Sequence, residues 1–506
     1  MPEANAASAA APDHLRRAID ALRFRTQAFI DGRFTDATDG RTYTTTNPAT
    51  GRPLASVAEC GPRDVDLAVA AARRAMDGPW GAMSPGDRKR VLIRFADAID
   101  AHTEELALTE SLDAGKPISD TLGLDIPETA TCIRWHAEAI DKVYDEVAPT
   151  GRDALAMVIR EPIGVVGAVI PWNYPAQMAA WKLGPALATG NAVVIKPASQ
   201  TALSLLRIAE LASEAGLPDG VLNVIPGPGE SVGEAMGRHP GIDIVAFTGS
   251  TEVGRRFLSW SAESNLKRVV LELGGKSPQV VMADAPPDDA IVESIANAIF
   301  WNMGENCSAG SRLIVHRSRR DGLLAALVDH VRRTWVVGDP FAPGTRVGPL
   351  ITASHLARVL DYVAVGRAEG AVVTLGGGRV LEESGGWYVE PTIFADVRND
   401  MRIAQEEIFG PVLATIDFET EAEAIAIAND TPYGLGASLY TTDLVTAHRV
   451  ARALKAGTVG VNCYSEGDMT TPFGGFKLSG FSGHDKSLHA HDQYTELKTI
   501  WINLGQ

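Results

Sequence analysis

From Ile163 to Gly275 the chain alternates between short apolar runs and segments whose apolar residues recur every three or four positions. The runs are IGVVGAVI, AVVIK, VLNVIPG, DIVAFTG and RVVLELGG, and stretches such as ALSLLRIAELASEAG separate them. Short β-branched runs without internal polar alternation predict strands buried on both faces, and intervening helical periods predict the helices that cover them. A second alternating region runs from about Ser277 to Asn462, with PQVVMAD, RLIVHRS, AVVTLGG, PVLATIDF and GTVGVN as its strand candidates. Two parallel sheets in an α/β protein are therefore expected.

Nearer the start, AFIDGRFTDATDGRTYTTTNPATG reads as short strands with turns at Asp31-Gly32 and Asp39-Gly40. Ser84, Pro85 and Asp87 predict a helix start, and Leu92, Phe95, Ala96 and Ile99 form a stripe that reads as core packing. Two segments, KVYDEVAPTGRDALAMVIREP and YTELKTIWINL, have strand character outside both sheets. Unpaired strands need partners, so these are expected to pair with each other or with another subunit. Residues 1 to about 13 are small and polar and read as a mobile tail.

Composition narrows the function classes. The chain has 506 residues, 45% hydrophobic and 22% charged, with a net charge of −17. That is globular composition, and the acidity argues against a nucleic-acid partner because no positive field is available to replace phosphate counterions. The uncharged stretch Pro162–Trp181 is broken by prolines and holds Asn173 and Gln177, so it does not read as a membrane span. With no basic and apolar leader and four scattered cysteines, a cytoplasmic protein is expected.

Several motifs invite chemistry. Gly227-Pro-Gly229-Glu-Ser-Val-Gly233 and Gly249-Ser-Thr-Glu-Val-Gly254 each follow a strand and open a helix, where backbone N–H groups can cradle a phosphate. Neither is a strict G-x-G-x-x-G, and each alone reads more readily as a plain turn. Gly274-Gly275-Lys276-Ser277 is not a P-loop, because Val270 stands where that loop needs its first glycine. The histidines form no metal signature, and none is expected. Cys307 lies in Asn302-Met-Gly-Glu-Asn-Cys307-Ser-Ala-Gly310, a small, polar, glycine-flanked loop of the kind that holds a reactive thiol.

Pro171-Trp-Asn-Tyr-Pro175, Phe247-Thr-Gly-Ser-Thr251, Leu271-Glu-Leu-Gly-Gly-Lys276, Gly304-Glu-Asn-Cys307 and Glu406-Glu-Ile-Phe-Gly-Pro411 occur in this order. The set resembles the NAD(P)-dependent aldehyde dehydrogenase family over roughly residues 20 to 504. The resemblance implies an α/β fold with a Rossmann-type cofactor-binding domain (14–139 and 163–274), a catalytic domain (275–478) and a strand-built bridging element (140–162 and 485–504). It implies a homo-oligomer, a dimer or a dimer of dimers. It also implies Cys307 as nucleophile, Asn173 as oxyanion donor and Glu272 as the base that activates water. The same base favours hydrolysis over acyl transfer to coenzyme A.

For NAD or NADP the resemblance implies Trp172, Lys196, Ser199, Gly229, Gly233, Gly249, Ser250, Glu407 and Phe409. NAD-preferring members carry Glu where Ser199 stands; a carboxylate repels a 2′-phosphate and a serine admits it, so NADP use is expected to be possible. Within the family, Ala137–Tyr144, Gly467–Phe473, Asp485–His489 and Tyr494–Trp501 resemble dehydrogenases of polyamine breakdown, those for γ-glutamyl-γ-aminobutyraldehyde and 4-guanidinobutyraldehyde. By position, Tyr174, Met178, Trp181 and Phe473 should line the aldehyde tunnel. Asp125, Glu128, Ser465, Glu466 and Asp468 should stand at its mouth, where carboxylates would favour a cationic ω-group. Succinate-semialdehyde oxidation and a catalytically silent relative are the alternatives.

Overall fold

The computed structural model describes residues 12–505. The expected tail lies outside the described residues except for its last two, and Asp13 already opens a helix, Asp13–Ala21. The eight-stranded first sheet is built on five parallel strands, ordered Leu222–Val224, Ala192–Lys196, Val165–Val169, Ile244–Thr248 and Arg268–Glu272. Ala28–Ile30 and Arg33–Thr35, joined at Asp31-Gly32, close one edge, and Gly480–Phe481 closes the other. Successive residues of each strand point to opposite faces. Val166, Ala168, Val193, Ile195, Ile244, Ala246 and Val270 enter one core. Val165, Val169, Val194, Val245, Phe247, Val269 and Leu271 enter the other. The uninterrupted apolar runs are thus explained by helices on both sides.

Among the helices on the first of these faces is Pro85–Ala101, whose predicted stripe is fully buried. Ser84 caps it, accepting the Asp87 N–H (3.2 Å) while its hydroxyl donates to the Asp87 carboxylate (2.5 Å). Strand order reverses beside Val165–Val169, because the next strand in the chain lies on one side of it and Ile244–Thr248 on the other. In open α/β sheets, ligands bind at such a reversal, outside the carboxyl ends of the strands.

The seven-stranded second sheet has six parallel strands between Pro278 and Val461, with Val372–Leu375 antiparallel at one edge. A three-stranded antiparallel sheet stands apart: Thr495–Asn503 pairs with Ala154–Pro162 along its whole length, and Glu146–Ala148 flanks it. The two orphan segments therefore pair with each other. Residues 485–494 do not join this sheet. They lie under the first one, with Lys182 bonded to Asp485 and a short helix, His489–Gln493. No helix among the described residues is long and apolar enough to cross a membrane.

Arg312 fastens the second sheet beneath the Gly274–Ser277 turn. It is fully buried and donates to the carbonyls of Lys276 (3.0 Å), Ile427 (3.0 Å) and Ala428 (2.8 Å) and to Asn399 Oδ1 (3.1 Å). Arg312→Leu is expected to cost about 3 kcal/mol by stranding buried acceptors. Urea unfolding followed by fluorescence measures it, and a loss under about 1 kcal/mol would contradict this account.

Candidate active site

A cavity of about 240 Å³ opens where the carboxyl ends of the first sheet face the loop carrying Cys307. Its residues arrive from several strand ends. Beyond Val169 the chain turns through Trp172, Asn173 and Tyr174 into the helix Pro175–Ala188, which starts with proline at a position needing no N–H. Beyond Thr248, Gly249 leads to Ser250, which caps the helix Thr251–Ala262 by accepting the Val253 N–H (3.4 Å). Glu272 ends the last of the five parallel strands.

Cys307 follows a tight reversal in which Asn302, Met303 and Gly304 all have left-handed φ (50°, 57° and 69°). Gly304 is required there twice over: its φ suits glycine, and a Cβ would collide with the Gly410 carbonyl. Gly275 likewise lies against the Cys307 carbonyl, leaving no space for a side chain. The glycines of these motifs thus serve close backbone approach to the reactive loop.

The side-chain amide of Asn173 donates to the Glu305 carbonyl (2.9 Å), which fixes one of its two N–H groups. The Asn173 carbonyl accepts from Lys116 Nζ (3.1 Å) and Asn302 Nδ2 (3.2 Å). Glu272 is buried with neither carboxylate oxygen hydrogen-bonded. Burial raises its pKa well above the usual range; neighbouring Asp485 adds to the rise and Lys182 opposes it. Lys182 and Asp485 form a buried pair at 2.5 Å. Burial also holds the Cys307 thiol well above its ordinary pKa, reinforced by Glu466, Glu407 and Glu272.

Phe409 has a left-handed backbone (φ 62°) and meets Trp172 edge-on with ring centroids 5.3 Å apart. His355 Nε2 donates to the Phe409 carbonyl (2.6 Å), and burial brings the His355 pKa down to about 4. Glu407 accepts the Gly275 N–H (3.0 Å), and burial raises its pKa to about 7. A side chain at Gly274 would strike this carboxylate. Trp172, Gly249, Ser250, Glu407 and Phe409 all line the cavity.

Lys196, Ser199, Gly229 and Gly233 lie outside the cavity. Lys196 ends its strand buried, donating to the Pro197 carbonyl (2.9 Å), and burial lowers its pKa to about 8. Ser199 Oγ donates to the Gly227 carbonyl (2.9 Å), tying two strand-end loops together. Gly229 and Gly233 have open space where side chains would stand. A strand-end edge with exposed backbone, one buried cation and a capped helix start fits a dinucleotide.

Tyr174, Met178, Trp181, Phe473 and Glu466 line the cavity on the other side of Cys307. Of the residues expected at the mouth, Glu466 lines the cavity, and Asp125 is corrected. Asp125 is fully buried in the turn before the helix Ile126–Ala139 and pairs with Lys116 (2.6 Å), whose ammonium lies 3.6 Å from the Tyr174 ring centroid. It supports the floor because its helix turns that face inward. Glu128, Ser465 and Asp468 are not on the cavity wall. Asp468 accepts the Thr470 N–H (2.8 Å) and Ser465 accepts the Gly467 N–H (3.0 Å), and both are exposed.

Sequence reasoning missed Lys486, His355, Arg358, Lys182 and Asp485. Lys486 donates to the Glu466 carbonyl (2.7 Å) and stands 5.1 and 5.4 Å from the Trp181 and Phe473 ring centroids. Arg358 donates to the Glu407 carbonyl (2.8 Å). None lies in a glycine-rich or aromatic motif, and only the fold brings them to the site.

The sequence profile described as the aldehyde dehydrogenase family matches residues 34–500. The aminoacetaldehyde dehydrogenase of Pseudomonas aeruginosa is 55% identical over 478 residues, 94% of this chain and 95% of that protein. The structure of γ-glutamyl-γ-aminobutyraldehyde dehydrogenase from Burkholderia cenocepacia superposes with a TM-score of 0.95 at 52% identity, covering 98% of this chain and 100% of that one. An indole-3-acetaldehyde dehydrogenase complexed with NAD+ superposes with a TM-score of 0.95 at 53% identity, covering 97% and 99%. The ordered motifs, the likeness of fold and the profile agree over nearly the whole length: the chain belongs to the aldehyde dehydrogenase family.

Proposed function

We propose that the chain oxidises an ω-amino, guanidino or γ-glutamylamino aldehyde to its carboxylic acid with NAD or NADP. The observation that carries the reading is the meeting of Cys307, Asn173 and Glu272 in one cavity. The Cys307 thiolate attacks the aldehyde carbon to form a thiohemiacetal. Asn173 has one N–H held by Glu305, so the other is left for the developing oxyanion, together with the Cys307 N–H. NAD(P), when bound, supplies the hydride acceptor. Oxidation leaves a thioester on Cys307. Glu272 takes a proton from the water that attacks it, the carboxylate departs, and the thiol is regained.

Lys196 and Glu407 are assigned to the cofactor riboses, Trp172 and Phe409 to the nicotinamide side, and Gly249 and Ser250 to the pyrophosphate. Gly229 and Gly233 permit close backbone approach, and Ser199 leaves space for a 2′-phosphate. We read the chain as cofactor-binding (14–139, 163–274), catalytic (275–478) and bridging (140–162, 495–504) parts, the bridging strand starting at Thr495. Four free cysteines suit a reducing compartment, the cytoplasm.

Glu466 favours a cationic substrate, and the relatives named for aminoacetaldehyde and γ-glutamyl-γ-aminobutyraldehyde support this choice. Lys486 keeps succinate semialdehyde as a second reading, because it offers the cation an acid group would need. Initial rates with NAD and NADP are the test, using aminoacetaldehyde, 4-guanidinobutyraldehyde, γ-glutamyl-γ-aminobutyraldehyde, indole-3-acetaldehyde and succinate semialdehyde. Aminoaldehydes are expected to lead by kcat/KM, with both cofactors used. Succinate semialdehyde leading would make Lys486 the anchor and sink the substrate reading.

Glu272→Gln is expected to leave the first turnover's nicotinamide burst intact while lowering steady-state kcat by about 100-fold or more. Quenched samples should show acylated Cys307 by mass. An unchanged steady state would remove Glu272 from the base role.

Leu497, Trp501, Tyr144 and Val147 are exposed apolar residues of the three-stranded sheet or next to it, so we assign it to self-association. Trp501→Asp is expected to reduce the assembled mass in light scattering. Retention of the wild-type mass would place the subunit interface elsewhere.

A further inference from the structure

Asn306, beside the nucleophile, has a fixed orientation. Its Oδ1 accepts the Ser308 N–H (3.2 Å), and its Nδ2 donates to Tyr464 Oη (2.7 Å) and Glu466 Oε1 (3.2 Å). Turning the amide over would set an NH2 against the Ser308 N–H and the carbonyl oxygen against a carboxylate, so the assignment is forced by the partners. Cys307 Sγ lies 3.8 Å from the same Oδ1, with the thiol as donor. Glu466 Oε1 in turn accepts from Asn306, Ser308 Oγ and Tyr464 Oη together, and Glu466 lines the cavity beside Cys307. The chain of bonds therefore runs from thiol to amide to carboxylate.

We propose that Asn306, clamped by Glu466, Tyr464 and Ser308, is a positioning residue that holds the resting Cys307 as a protonated thiol. An acceptor oxygen aimed at the sulfur is satisfied by S–H and repelled by S⁻, and the carboxylate behind it adds a second negative charge. Most of the other groups around the thiol act in the same sense or are uncharged, while the Ser308 N–H and Arg358 oppose them. Glu272 reaches it from the last parallel strand of the first sheet, Glu407 from the loop before Phe409, and Tyr174 and Tyr464 are neutral phenols. On the helix Ala353–Ala368, His355 is held neutral by burial, and Arg358 is the cation lining the same cavity. Burial and these carboxylates push the thiol well above its ordinary pKa, in agreement with the geometry.

The proposal rests on Cys307 as nucleophile, but its test reads the thiol directly. The full-length chain without cofactor is alkylated with iodoacetamide from about pH 6 to about pH 10, and Cys307 modification is followed by mass. The wild-type midpoint is expected above the ordinary thiol value of about 8.5. Glu466→Gln keeps the acceptor but removes the charge; its midpoint is expected to move down, with alkylation near pH 8 faster by about 3- to 10-fold. Asn306→Ala, which removes the S–H acceptor, should shift in the same direction, whereas Asp468→Asn, on the same loop but off the cavity, should not. A wild-type midpoint at or below about 8.5, or a Glu466→Gln midpoint unchanged or raised, would overturn the proposal. Neither result touches the nucleophile assignment, which fails only if turnover survives complete Cys307 alkylation.

Discussion

The hydrogen bond from the Asn173 side chain to the Glu305 carbonyl joins the two halves of the molecule at the reacting centre. Asn173 leaves the central strand of the first sheet, and Glu305 belongs to the reversal that leads into the second. For the bond to form, both backbones must be held from behind. Lys116 and Asn302 hold the Asn173 carbonyl, and the Glu305 carboxylate accepts the Ile351 N–H (3.0 Å). Lys116 is balanced by Asp125, both with side chains almost wholly buried. An ion pair that deep contributes little net stability, but removing either partner leaves an isolated buried charge. Its value here lies in fixing a position.

Buried charge recurs around the cavity with a consistent logic. Lys182 with Asp485, Lys116 with Asp125, and Glu407 on the Gly275 N–H are all satisfied by a partner. Glu272, in contrast, has both oxygens buried with neither a hydrogen bond nor an ion pair, in a place where water must arrive. A carboxylate left unpaired in a dry pocket gains basicity chiefly through burial, with Asp485 adding to the rise and Lys182 opposing it. The acid–base group is thus distinguished from the structural carboxylates by what it lacks.

Much of this was legible in the chain. The uninterrupted apolar runs gave the doubly covered sheets, because burial on both faces removes polar alternation. The glycine-flanked Cys307 loop and the ordered motifs led to the three reacting side chains, since tight backbone approach leaves a glycine signature. What differed was Asp125, which looked like a free carboxylate at the tunnel mouth, yet is buried and paired with Lys116. Lys486 was missed because a lone lysine in a polar segment has no periodicity to mark where it points. Long-range pairing, such as Lys182 with Asp485, leaves no local pattern at all.

The order of pairing along the chain has a consequence for biogenesis. The edge of the first sheet is completed by Gly480–Phe481, and the surroundings of Glu272 by Asp485, after the whole second sheet has been synthesised. A nascent chain emerging from the ribosome therefore carries Asn173, Glu272 and Cys307 while its first sheet still has an open edge. Until the later segment docks, that edge is the surface on which chaperones or stray strands can act. Quality control and catalytic competence are coupled through one late strand: a chain truncated before it exposes its defect and lacks the environment of its base.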